Sequence, residues 1–127
     1  MKILEFLNKL EEPQRNTVMK AYQSTGMLDL DLEVDASVDK DTLEFLKALS
    51  NPIRFQILKL LSKGWLCVCL ISSILEKDQT LISHHLRTLK EAGLVEKKRI
   101  GKMHFYRLNK EAVQKHLERV GEILLGG

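Results

Sequence analysis

The chain has 127 residues, 44% of them hydrophobic and 29% charged, with a formal net charge of +3 and only two cysteines. That composition suits one small soluble domain with an extension and excludes a disordered chain. The cysteine count excludes a disulfide scaffold and points to a reducing, cytoplasmic setting, and no stretch approaches the roughly 18 apolar residues of a membrane span.

The opening MKILEFLNKL is no signal peptide, because Glu5 breaks the apolar run and no small-residue cleavage site follows. It reads as a helix over residues 2–10, with Ile3, Leu7 and Leu10 on one face. Pro13 suits the first position of a second helix, lined by Val18, Met19 and Tyr22 and ended by Gly26. LDLDLEVD (28–35) alternates apolar and acidic residues, which fits either an extended segment with one buried edge or a solvated linker. Residues 1–38 are thus expected to form a helical extension with an acidic segment, and residues 39–127 the main domain.

That domain begins with a helix whose face is expected to be Leu43, Leu46 and Leu49. Asn51-Pro52 reads as N-cap and first residue of a helix carrying Ile53, Ile57, Leu60 and Leu61, closed by Gly64. A helix from about Cys67 to Glu76 follows, then one over 79–92 capped by Asp78 and ended at Gly93. LVEKKRI, Gly101-Lys102 and MHFYRL form a hairpin with a two-residue turn. Asn109 caps a last helix with Val113, Leu117, Val120 and Leu124 along one side. The predicted class is mainly α (α+β): a winged helix-turn-helix with a two-stranded wing and terminal dimerisation helices.

Charge is unevenly spread. Residues 1–47 carry six Lys/Arg and ten Asp/Glu, whereas residues 79–110 carry eight and two. Such a basic segment is either a solvated surface or a footprint for a polyanion. On a helical wheel Ile82, Leu86 and Leu89 cluster toward the core, and Thr80, Ser83, His84 and Arg87 lie about 150° away. Gln79 opens the same helix, and no carboxylate falls on that face. Arg87 can fork onto guanine, and Thr80 and Ser83 can meet several bases. Lys97, Lys98, Arg99 and Lys102 surround the hairpin tip, where they can grip phosphate.

The segments ALSNPIRFQILKLL (48–61), LCVC (66–69) and ISHHLRTLKEAGLVEKKRIGKMHFYRL (82–108) resemble the ArsR/SmtB-type transcriptional repressors over about residues 42–120. The resemblance implies a homodimer joined by its terminal helices, bound to a partly palindromic DNA operator and released by an inducing signal. In metal-sensing members the segment like LCVC supplies thiolates for arsenite, antimonite, cadmium or lead. The arsenite type adds a third cysteine where this chain has Ser72. The cadmium or lead type adds cysteines from an N-terminal arm, and residues 1–66 here contain none. Leu70 replaces the acid that often follows the pair. The family's other metal site, on the last helix, matches only His116 in QKHLE (114–118), where Gln114 replaces the acid.

Cys67 and Cys69 therefore admit three readings: small packed residues, a redox or thiol-reactive switch, or an incompletely liganded soft-metal site. On a regular helix residues i and i+2 point about 200° apart, so one ion could meet both thiols only if the segment is extended or frayed there. His85 is expected to be packed or hydrogen-bonded rather than a ligand. No cofactor is required by these residues. The other functional classes are a winged helix reused for protein or RNA contacts, and an enzyme. The latter is disfavoured because no paired carboxylates, Ser/His/Asp set or phosphate loop appears.

Overall fold

The computed structural model describes residues 1–126. They fall into two units, Met1–Ser37 and Val38–Gly127, and Gly127 itself lies outside the described residues.

In the first unit, helix α1 covers only Ile3–Leu7 and does not reach residue 10. The amides of Lys9 and Leu10 turn back to Phe6 and Leu7 three residues earlier, so the chain tightens and leaves the helix. Leu7 is buried, with Ile3 and Leu10 half-buried beside it. Pro13 caps helix α2, Gln14–Thr25, instead of opening it, and Gly26 ends it in the left-handed conformation at φ 64°. Segment 28–35 mixes both expected readings. The amides of Ile3 and Leu4 donate to the carbonyls of Leu32 and Leu30 at 2.9 and 3.0 Å, and Lys2 bridges Glu33. The alternation breaks at a local turn, where the Asp29 carboxylate accepts from the Asp31 amide at 2.9 Å. Leu28 and Leu30 are half-buried, whereas Leu32 and Val34 are exposed.

The second unit runs α3 (Lys40–Leu49), α4 (Pro52–Leu61), β1 (Leu66–Cys67), α5 (Val68–Leu75), α6 (Gln79–Glu91), β2 (Val95–Ile100), β3 (Met103–Leu108) and α7 (Lys110–Leu125). Short polar side chains set the helix starts, Asn51, Asp78 and Asn109 as expected and Asp39 as well. Asp39 accepts from the Thr42 amide at 3.0 Å, Asn51 from Arg54 at 3.1 Å, Asp78 from Thr80 at 3.2 Å and Asn109 from Ala112 at 3.2 Å.

One expectation for this unit fails in part. The inward face of α3 is Thr42, Phe45 and Ala48; of the three expected leucines only Leu49 packs against the core, half-buried, while Leu43 and Leu46 are exposed. Phe45 is decisive: it is 1% exposed and its ring stacks on His116 of α7 at 4.6 Å. A helix with two apolar stripes buries the one its neighbour fits, and here that is the aromatic one. The expected hairpin of the wing is present, β2 pairing with β3 across the Gly101-Lys102 turn. β1 joins it, giving an antiparallel sheet in the order β1-β3-β2. Leu66 pairs with Tyr106 and Cys67 with Phe105, so the strand before α5 extends the sheet by two residues.

The core of this unit lies where α3, α4, α5 and α6 meet the base of the sheet. Ile57, Ile71, Ile82, Leu86, Leu89 and Leu94 are fully buried there. Each such side chain contributes about 1.5–3 kcal/mol of transfer free energy. Ile82, Leu86 and Leu89 come from α6 alone, so its inner face is anchored and its outer face is held in one orientation.

Candidate nucleic-acid interface

Helix α6 follows α5 through the short connection Glu76–Asp78, the two-helix arrangement in which the second helix can enter a major groove. Glu76 makes the turn in the left-handed conformation, at φ 53°. Along the outer side of α6, Gln79, Thr80, His84 and Arg87 are exposed and Ser83 is half-buried. Asp78 is committed to the helix cap, so the first acid beyond it is Glu91, the last residue of the helix. A face with a guanidinium, hydroxyls and an imidazole but no carboxylate can approach both phosphate and base edges without electrostatic penalty.

His85 is turned the other way. It is 6% exposed, and its Nδ1 has no hydrogen-bond partner. It is therefore packed, as one of the two expected readings had it, and not hydrogen-bonded through Nδ1. Burial, then the nearby Arg54 and His84, lower its pKa below the ordinary histidine value, because each disfavours the charged imidazolium.

The wing extends the basic surface. Lys97, Lys98, Arg99 and Lys102 are all exposed on β2 and the turn. Gly101 supplies φ 62° at the turn. The Arg99 side chain folds back and donates to the Gly101 carbonyl at 2.8 Å, which stiffens the tip. At the base, Arg107 donates to Glu96 at 2.8 and 3.0 Å. Trp65, just before β1, carries two cations on its ring: Lys98 Nζ and the Arg107 guanidinium carbon each lie 4.6 Å from the centroid. Sequence reasoning passed over Trp65. Its signal was a lone tryptophan beside two cysteines, but the strand that aims it is only two residues long.

The thiols lie at the other end of β1. Cys67 is half-buried and Cys69 exposed, which is not the environment of two packed core residues. Nor do they point apart. Their sulfurs are 2.7 Å from each other, because Cys67 is not helical: it caps α5 in an extended conformation, φ −80° and ψ 160°. Its sulfur also accepts from the Leu70 amide at 3.4 Å. The hydrogen bond with Cys69, aided by that amide, lowers the Cys67 pKa below the ordinary thiol value. The same contact, then burial and the charge on Cys67, raise the Cys69 pKa. The contact makes Cys67 the more acidic of the two thiols.

Further ligands do not converge on the pair. Ser72 turns its hydroxyl to the Lys77 carbonyl. His116 is stacked on Phe45, and Gln114 bonds Glu118 at 3.1 Å. Among the described residues, no three His, Cys, Asp or Glu side chains come together as a metal site. Two thiols fall short of the three or four donors a soft ion takes, so the residues present do not complete such a site.

The first and last helices of this unit, α3 and α7, leave apolar side chains exposed. Val113 and Val120 of α7 pack against the core, but Leu117 is 54% and Leu124 75% exposed. Leu43 and Leu46 of α3 are exposed as well, on the helix that α7 packs against. Arg119 of α7 meets the Asp39 cap of α3 at 3.3 Å.

Comparison with known proteins places these features in context. Residues 51–97 match the family model described as bacterial regulatory protein, arsR family. An HTH-type transcriptional regulator of Methanocaldococcus jannaschii is 42% identical over 81 residues, covering 63% of this chain and 91% of that one. An arsenical resistance operon repressor of Staphylococcus xylosus is 40% identical over 72 residues, covering 57% and 69%. Among solved structures, the homodimeric winged helix-turn-helix DNA-binding domain of a Mycobacterium bovis protein superposes with a TM-score of 0.56 at 31% identity, covering 72% of this chain and 94% of that one.

Proposed function

The chain belongs to the ArsR family of DNA-binding transcriptional regulators, and we propose that it acts in the cytoplasm as a homodimeric repressor on a partly palindromic operator. The observation that carries this reading is the outer face of α6, polar and acid-free, beside a basic wing. In this reading α6 lies in the major groove, where Arg87 reads a guanine and Gln79, Thr80, Ser83 and His84 meet neighbouring bases and phosphates. Lys97, Lys98, Arg99 and Lys102 hold backbone phosphate and supply affinity without sequence choice. No catalytic step and no cofactor enters.

Dimerisation is supported by the exposed leucines. Leu117 and Leu124 of α7, and Leu43 and Leu46 of the helix it packs against, are exposed apolar side chains that water solvates poorly and a second copy would cover. Family relatives form homodimers, and the Mycobacterium bovis domain is one by its description. A dimer also supplies the two recognition helices that two half-sites need.

Release is assigned to the thiols. Cys67 pairs with Phe105, which pairs with Lys98 on the other side of β3. Chemistry at the cap of α5 thus acts on a strand one step from the wing's cations and on the helix preceding α6. Oxidation is favoured over soft-metal binding because two thiols at 2.7 Å have each other and, among the described residues, no third ligand. The Staphylococcus xylosus relative is an arsenical resistance repressor, which keeps the metalloid reading as the rival. The test begins with recovery of bound fragments from genomic DNA. Affinity is then measured by fluorescence anisotropy under reductant, diamide, arsenite and cadmium. Diamide, which takes two electrons and two protons from the thiol pair, is expected to release DNA from the wild type but not from Cys67→Ser. Release by stoichiometric arsenite or cadmium, lost in Cys67→Ser, establishes the metalloid reading instead.

A further inference from the structure

Trp65 is the one tryptophan of the chain, half-buried at the edge of the wing sheet. Strand register explains what surrounds it. Leu66 opposes Tyr106, so one step back along the chain Trp65 comes beside Arg107, which in turn opposes Glu96. Side chains alternate between the two faces of a sheet. Val95, Tyr106 and Leu66 take the core side, and Trp65, Arg107, Glu96 and Lys98 share the outer side. Two cations there meet one ring at 4.6 Å. They are not equivalent, because Arg107 has a carboxylate partner in Glu96 at 2.8 Å, while Lys98 has no ion-pair partner among the described residues.

We propose that Trp65 is a positioning residue for DNA binding: its indole face holds the Lys98 ammonium in place on the outer side of the wing, so that a backbone phosphate meets an already oriented cation. Lysine carries a long flexible stem, and ordering it on a phosphate costs conformational entropy. A ring that already holds the ammonium removes part of that cost, which is preorganisation in its plainest form. The contact occupies one side of the ammonium, and the rest of Lys98 remains exposed. Arg107, neutralised by Glu96, packs on the same ring and braces it. The inference rests on reading Lys98 as a phosphate contact.

The test needs no known operator, because phosphate contacts act on any duplex. The full chain is titrated onto a fluorescein-labelled duplex of random sequence at low salt. Variants are Trp65→Leu, Trp65→Phe, Lys98→Met and the double Trp65→Leu/Lys98→Met. Trp65→Leu is expected to weaken binding about two- to fivefold, the scale of an exposed cation–π contact, and Trp65→Phe to recover most of it. In the Lys98→Met background the same Trp65→Leu change should cost nothing. Equal loss in both backgrounds, or tighter binding by Trp65→Leu, overturns the proposal. Should Trp65→Leu fail to fold, the emission of Trp65 decides: duplex should shift it in the wild type and leave it unchanged in Lys98→Met, and an equal shift in both overturns the proposal. If Lys98→Met leaves affinity intact, the phosphate contact itself fails and this inference with it. If Lys98→Met weakens binding and Trp65→Leu does not, only the role of Trp65 is lost.

Discussion

Helix α6 and the wing carry charge of the same sign on very different supports. Behind α6 stand Ile82, Leu86 and Leu89, all at 0% exposure, so its outer side chains project from a backbone fixed by the core. Behind the wing tip stands little: Ile100 is 57% and Met103 45% exposed. A rigid helix can hold a fork-shaped guanidinium to the geometry that a base edge requires. A projecting hairpin suits phosphate, which accepts a cation from many directions. The difference separates choosing a sequence from gripping a duplex, and the two can be broken independently.

The largest effect is expected from a residue in neither region. Leu117→Asp places a charge on the exposed stripe of α7 and should leave each subunit folded but monomeric. Loss of the second half-site should weaken operator binding by about a hundredfold or more. Analytical sedimentation checks the state, and an intact dimer with wild-type affinity would remove this surface from the account.

Next come substitutions that compare the two supports directly. Ile82→Ala should cost about 2–5 kcal/mol of stability in urea unfolding, because it empties a fully buried site. Ile100→Ala at the wing tip should stay within about 0.5 kcal/mol. A similar cost at both positions would mean that the wing is as firmly backed as the helix.

A smaller effect should follow pH. His85, on the inner side of α6, has its pKa lowered from the ordinary 6.5 by burial, then by Arg54 and His84. Between the folded and unfolded values the unfolded chain binds more protons, so unfolding free energy rises with pH through that window. The stabilisation is complete above the unfolded value and is lost as pH falls toward the folded one. His85→Leu should flatten that acid arm of the stability curve, measured by urea midpoints across pH. An unchanged slope would place the titration elsewhere.

These contrasts also mark what the residues disclose without coordinates. Asn51-Pro52, Asp78 and Asn109 could be recognised as helix starts because a cap is a local hydrogen bond between near neighbours in sequence. The Gly101-Lys102 turn was equally local. The inward face of α3 was not legible, because Leu43 and Leu46 outweigh Phe45 in any count of apolar residues, and only the His116 ring shows which stripe is covered. For the thiols the residues left two cases open, opposed on a regular helix or together at an extended start, and the cap conformation of Cys67 selects the second. Strand β1 is too short for any period to show, and with it went Trp65.

The separation of reading from gripping is tested most directly by titrating Arg87→Ala and Lys98→Ala on operator and random duplexes over a range of salt. Arg87→Ala should lose about 1–3 kcal/mol on the operator and much less on random DNA. Lys98→Ala should lose affinity equally on both and make the salt slope shallower by about one unit. Equal loss on both duplexes for Arg87→Ala, or a selective loss on the operator for Lys98→Ala, would contradict the assignment of sequence choice to α6 and of affinity to the wing.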